Sequence, residues 1–152
     1  MVTWAHENAA ASGLSDAKIR WLVDDCVKFV NREIRRGNRY DGIIMDPPSY
    51  GRGPKGEIWK LEEEIFPLLS LSMQLLSEKP LFFLLNSYTT GLQPGVLKYL
   101  LTKALDEAGK KQGRGEVPLR SGILIEADEL GLPVESASGL ALPCGASGRV
   151  TF

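Results

Sequence analysis

The residues with the clearest chemical potential in this chain are Asp46-Pro47-Pro48-Ser49-Tyr50-Gly51-Arg52-Gly53. Proline has no backbone donor and resists helix, so the tandem Pro47-Pro48 ends the apolar run before it and leaves its carbonyls free. A carboxylate beside such carbonyls can hold an amine or an amidine edge. Tyr50 adds a ring for stacking, worth roughly 1 to 3 kcal/mol per base if the target is a nucleobase. Arg52, Lys55 and Lys60 follow, where they either steer phosphates toward Tyr50 or form a solvated basic surface. A strand followed by an ordinary surface turn is the competing reading, since Asp-Pro and glycine-rich turns are common.

An acid can do this work only if something rigid holds it. Tyr40 to Met45 is short and apolar, as a buried strand would be, and that places Asp46 at a strand's carboxyl end, where open α/β sheets bind ligands. Upstream, Val2 to Ser12 is alanine-rich and predicts a helix stopped at Gly13. In Lys18 to Asp24, Ile19, Trp21 and Val23 alternate with polar residues and predict a strand. Cys26 to Arg36 predicts a helix, because Val27, Val30 and Ile34 recur at three- and four-residue steps before Gly37. Asp24-Asp25-Cys26 would then lie between strand and helix, where an acid commonly caps the helix.

Downstream, Glu57 to Ser77 predicts a longer helix broken or bent near Pro67, and Leu81 to Asn86 a strand buried on both faces. Pro94 to Ala108 predicts another helix with proline in its first turn. Lys110 to Gly115 reads as a basic linker. Leu119 to Ala127 and Leu140 to Phe152 read as two final strands, joined by a turn around Gly131-Leu132-Pro133. Alternating strands and helices followed by two consecutive strands describe an α/β sheet with an antiparallel edge.

Composition narrows the classes. A chain of 152 residues, 43% hydrophobic and 24% charged, is one domain in size and can bury a real core. A net charge of −1 argues against binding nucleic acid by bulk electrostatics, though local basic clusters remain. The densest of these, Arg32, Arg35, Arg36 and Arg39, sits at a helix carboxyl end, where cations favour the helix dipole. No apolar run approaches a bilayer's thickness, and Met1 to Glu7 lacks a signal peptide's pattern, so a cytoplasmic location is expected. Cys26 and Cys144 are far apart and lack metal-ligand spacing, so neither a disulfide framework nor a metal site is expected. His6, the single histidine, reads as a surface residue.

The run Asp41 to Glu57, with its Asp-Pro-Pro-Ser-Tyr core and Gly-Arg-Gly-Pro-Lys-Gly-Glu tail, resembles motif IV of class I methyltransferases that use S-adenosylmethionine. The likeness is to the group related to large-subunit ribosomal RNA methyltransferases, and the preceding Trp21 to Asp25 segment stands in the same order. The resemblance implies a Rossmann-like sheet with antiparallel carboxyl-terminal strands and methyl transfer from S-adenosyl-L-methionine, with ribosomal RNA as the first acceptor class, while the acidic overall charge leaves a small molecule or protein acceptor open. It implies that Asp46, Pro47, Pro48 and Tyr50 position the acceptor, that Tyr50, Arg52 and Lys55 contact it, and that Asp24, Asp25, Cys26 and Asp46 face the cofactor, Asp25 taking the adenine amino group. Cys144, in the last strands, does not match the nucleophilic cysteines of cytosine-5 methyltransferases.

The resemblance also exposes a departure. Family members begin with a strand, a glycine-rich loop and a second strand ending in an acid for the ribose. None of the three precedes Trp4, and Gly13, Gly37, Gly51, Gly53 and Gly56 form no glycine-rich turn between strand and helix. The chain therefore reads as a carboxyl-terminal portion of such a domain, its sheet incomplete by two strands. Two functions are consistent with that: acceptor handling within an intact methyltransferase, or a catalytically dead remnant acting through interaction, including homo-oligomer formation by the open edge of the strand at Ile43.

Overall fold

A computed structural model describes residues 2–53, 56–111, 122–136 and 139–152. Its elements in chain order are helices α1 (Val2–Ala11) and α2 (Cys26–Arg36), strands β1 (Gly42–Met45), β2 (Tyr50–Arg52) and β3 (Ile58–Lys60), helix α3 (Leu61–Ser72), strand β4 (Phe82–Ser87), helix α4 (Pro94–Lys111), and strands β5 (Leu124–Pro133) and β6 (Ala141–Thr151). Four strands form one sheet in the order β1-β4-β6-β5, and β2 and β3 form a separate antiparallel pair. β1 and β4 run parallel in the register Met45↔Leu85. β6 returns antiparallel to both β4 and β5, giving the antiparallel carboxyl-terminal edge that the sequence predicts.

The core lies on one face of this sheet, and the side-chain periods show why. β4 alternates, burying Phe83, Leu85 and Ser87, while α4 buries Leu97, Leu101, Ala104, Leu105 and Ala108 along one helical stripe. Leu61, Ile65 and Leu69 of α3 and Val150 of β6 belong to the same cluster, all at 2% exposure or less. Each such side chain contributes about 1.5 to 3 kcal/mol on burial. Gly148 lets α4 approach β6 closely, because a Cβ there would stand 2.7 Å from a methyl of Leu101. On the other face, Ile44 and Leu124 are exposed, and the outer edge of β1 is unpaired among the described residues.

The helix at Cys26–Arg36 has the predicted bounds, closed by Gly37 at φ 73°, whose N–H meets the carbonyls of Glu33 and Ile34. Its join to β1 is built on a buried carboxylate. Glu33 is fully enclosed and accepts from the Tyr40 hydroxyl at 2.5 Å, Asn38 Nδ2 at 2.7 Å and Arg36 Nη1 at 2.9 Å. These donors, Tyr40 foremost, hold its pKa at about 2. A folded value below the ordinary carboxylate value of 4.5 means that Glu33 stabilises the fold above that ordinary value and loses the effect as pH falls toward about 2. Denaturant melts across this window should therefore show stability falling with pH. Glu33→Gln should flatten that slope, and an unchanged slope would assign it to other carboxylates.

Several predicted elements differ. Lys18 to Asp24 joins no ladder, and Val23 is 88% exposed. Its alternation suits a strand, but a strand needs a hydrogen-bonded neighbour, and the described residues supply none there. Trp21 instead packs against His6 of α1, ring centroids 4.7 Å apart, so His6 has an aromatic partner. The helix predicted from Glu57 starts at Leu61, because Ile58 and Trp59 favour extended backbone and pair with β2. It runs unbroken through Pro67 before tightening into a 3-10 turn at Met73–Leu75. Lys110 and Lys111 belong to α4 rather than to a linker. The supposed turn at Gly131-Leu132-Pro133 is the end of β5, an edge strand where proline's missing donor is tolerated. Gln112 to Gly115 of the predicted linker and Leu119 of the predicted strand lie outside the described residues.

Candidate active site

Asp46 follows directly on the last residue of β1, as the sequence predicts, and its side chain is exposed. The turn after it is not a loose connection. Trp59 Nε1 donates to the Pro48 carbonyl at 2.7 Å, and the N–H of Leu61 donates to the Ser49 carbonyl at 3.1 Å. Thr89 Oγ1 donates to Ser49 Oγ at 2.6 Å, tying the turn to the loop that leaves β4. Leu61 itself is fully buried, so one of these ties ends in the core. The turn is fastened by three hydrogen bonds, two from the junction of β3 with α3 and one from the loop after β4. Asp46 and Tyr50, which is 52% exposed, are left facing solvent at the carboxyl end of the sheet.

The Pro48 carbonyl is thus not free, as its residue type alone suggests, but carries the Trp59 indole. Among the described residues no hydrogen bond reaches the Asp46 carboxylate. Arg52 is exposed on the β2-β3 hairpin, Lys60 on the same hairpin is held by Glu63 at 2.7 Å, and Lys55 lies outside the described residues. That pairing favours a structural role for Lys60.

The second group of predicted residues stands at the start of α2. Asp25 is the N-cap, its Oδ1 accepting from the N–H of Lys28 at 3.0 Å, with Lys28 Nζ 3.3 Å from the other oxygen. That backbone N–H, more than any other group, lowers the Asp25 pKa. Asp24 accepts from the N–H of Asp25 at 2.9 Å and pairs with Arg32. Cys26 is exposed in the first turn, where backbone N–H groups point outward without intrahelical acceptors. Among the described residues, no hydrogen bond or ion pair joins this group to Asp46. Arg32, Arg36 and Arg39 are occupied by Asp24, Glu33 and the Asn38 carbonyl, which supports the structural reading of the basic cluster. Cys144 lies within β6, partly covered.

Sequence reasoning did not single out Trp59 or Thr89, and it gave Ser49 no role of its own within the motif. Trp59 carried a signal, since an aromatic in a β-favouring Ile-Trp pair after a glycine-rich turn suggests a hairpin folding back on the strand before it. Ser49 and Thr89 carried none, because their bond links positions set side by side only by the parallel pairing of β1 with β4. The described residues hold no cluster of His, Cys, Asp and Glu able to bind a metal, and no helix among them is long and apolar enough to cross a membrane.

No protein-family model matches the chain. Over 77 residues, half of this chain, it is 30% identical to the ribosomal RNA large subunit methyltransferase K/L of Shewanella frigidimarina, and over 79 residues 30% identical to the enzyme of the same name from Cellvibrio japonicus. The chain spans about 10% of the length of these relatives. The crystal structure of a SAM-dependent methyltransferase from Agrobacterium tumefaciens matches 99% of this chain and 45% of that one, with a TM-score of 0.76 and 31% identity. SMU.776, solved with SAH bound, matches in fold with a TM-score of 0.64 at 19% identity, over 35% of its own length. In sequence and in fold this chain is similar to S-adenosylmethionine-dependent methyltransferases, with ribosomal RNA methyltransferases among its sequence relatives.

Proposed function

We propose that this chain is the acceptor-positioning portion of an S-adenosylmethionine-dependent methyltransferase whose acceptor is a base of ribosomal RNA. The observation that carries the reading is the Asp46-Pro47-Pro48-Ser49-Tyr50 turn, fastened by Trp59, Leu61 and Thr89 while the Asp46 carboxylate and the Tyr50 ring stay exposed. A plain surface turn needs no such anchoring. Holding an acceptor within reacting distance is worth several kcal/mol only if the holding groups do not move, and three hydrogen bonds to two separate parts of the chain support that.

The residues toward the cofactor fit one end of it. Outward-facing N–H groups in the first turn of α2, with Cys26, suit a ring nitrogen of adenine, and Asp25 can accept from its amino group with a second lone pair of Oδ2, the oxygen that also faces Lys28 Nζ at 3.3 Å. The cofactor, when bound, supplies a methyl group on a sulfonium. Asp46 and the Pro47 carbonyl orient the acceptor amine, Tyr50 stacks on its ring, and exposed Arg52 meets the backbone phosphate. The protein's work is placement rather than proton transfer.

The test is methyl transfer to large-subunit ribosomal RNA by a polypeptide extended to the length of the matched methyltransferases. Radioactive methyl incorporation into the RNA, absent when the RNA is omitted, is expected, and incorporation only into protein or a small molecule would overturn the acceptor assignment. The 152-residue polypeptide alone is expected to bind the cofactor more weakly than micromolar in calorimetry. Among its described residues, Asp24 to Cys26 meet only the adenine end of the cofactor, and each hydrogen bond to a charged group that is not made elsewhere costs about 1.5 to 3 kcal/mol. The rival reading, a remnant that self-associates through the open edge of β1, predicts no transfer in the extended polypeptide either.

A further inference from the structure

The loop that leaves β4 carries a second exposed ring, Tyr88, at 58% exposure. Three observations show that this ring is placed. The parallel register Met45↔Leu85, continued past the ladder, sets Ser49 level with Thr89, and their hydroxyls bond at 2.6 Å. The N–H of Thr89 turns back to the hydroxyl of Ser87 at 3.2 Å, and Ser87 is buried. On the opposite side of β4, Gly145 leaves room for the ring: a Cβ there would stand 2.8 Å from Tyr88 Cδ1 and 2.6 Å from the Ser87 carbonyl. Tyr88 is thus held between a glycine of β6 and a hydroxyl bond to the turn that carries Asp46 and Tyr50.

An exposed tyrosine on a mobile loop gains nothing from such support, whereas an aromatic wall does, because stacking is productive only when the ring is fixed relative to the groups that orient its partner. We infer that Tyr88 is a second acceptor-binding residue, a stacking surface for a base of single-stranded RNA, and that the Ser49–Thr89 bond is the positioning contact that keeps it in register with Tyr50. This rests on the acceptor reading given above and adds to it a residue that the Asp-Pro-Pro-Ser-Tyr motif does not contain.

The experiment uses the chain itself, with its four tyrosines replaced by 3-fluorotyrosine and their resonances assigned by Tyr→Phe variants. The probe is a short single-stranded oligoribonucleotide. On titration the Tyr50 and Tyr88 resonances are expected to shift together, while those of Tyr40 and Tyr99 stay in place. Tyr88→Ala should weaken the apparent affinity about tenfold, and Tyr88→Phe, which keeps the ring, should stay within about twofold of wild type. A shift of Tyr50 without Tyr88, or undiminished affinity in Tyr88→Ala, overturns this inference and leaves the acceptor reading standing. A titration in which neither ring moves overturns both. Circular dichroism of each variant separates a lost contact from a lost fold.

Discussion

Replacing Asp46 with Ala is expected to lower turnover about a hundredfold in a polypeptide with a complete cofactor site, with a much smaller change in cofactor affinity. The carboxylate is exposed at the end of β1 and meets no described hydrogen-bond donor, so removing it disturbs no packing and the loss should be chemical. If Asp46 orients an acceptor amine, its contribution is felt in the reactive geometry and falls on kcat. Asp46→Asn keeps an oxygen that accepts from an amine at the same place and should lose less. Tyr50→Ala should mainly raise the acceptor's KM, because stacking acts on ground state and transition state alike. Steady-state kinetics with cofactor and acceptor varied separately checks the pattern. Near-wild-type rates in all three variants would reduce the loop to a turn.

Gly145→Ala is expected to destabilise the fold by about 3 kcal/mol, lowering Tm by about 6 to 12 °C. Two effects combine. Gly145 has φ 139°, which a residue with a Cβ adopts only with strain, and the added carbon would meet the backbone carbonyl of Ser87 at 2.6 Å. That oxygen belongs to the last residue of β4, which is hydrogen-bonded to β6 and cannot yield cheaply. Gly139→Ala is the control, since it has φ 81° and no atom within 4 Å of the added carbon, and it should cost only the backbone strain, about 1 kcal/mol. Equal melting temperatures for the two variants would mean that β6 shifts freely against the β4 loop. The Gly145 variant should also lose oligoribonucleotide affinity through a displaced Tyr88.

The sequence by itself determined the elements whose side chains repeat at a helical or strand period and end on an unambiguous stop. α2 was legible to the residue because Val27, Val30 and Ile34 recur before Gly37, and β4 to within one residue because its apolar run is bounded on both sides. Asp46 at a strand's end was legible because two prolines cannot continue a ladder. What required a partner elsewhere in the chain was not. Lys18 to Asp24 alternates as a strand should, yet no described residue offers it a ladder. Ile58 and Trp59 favour extended backbone yet fell within the helix predicted from Glu57, and pairing with β2 is what makes them a strand. The candidate site divides along the same line. Asp46 and Tyr50 were visible as residue types, whereas the occupied Pro48 carbonyl, the Ser49–Thr89 bond and the seat of Tyr88 on Gly145 join residues distant in sequence. Local periods and stops act within a few residues and can be read from the chain, but hydrogen-bond partners and close approaches are set by strand order and register, which only the assembled sheet decides.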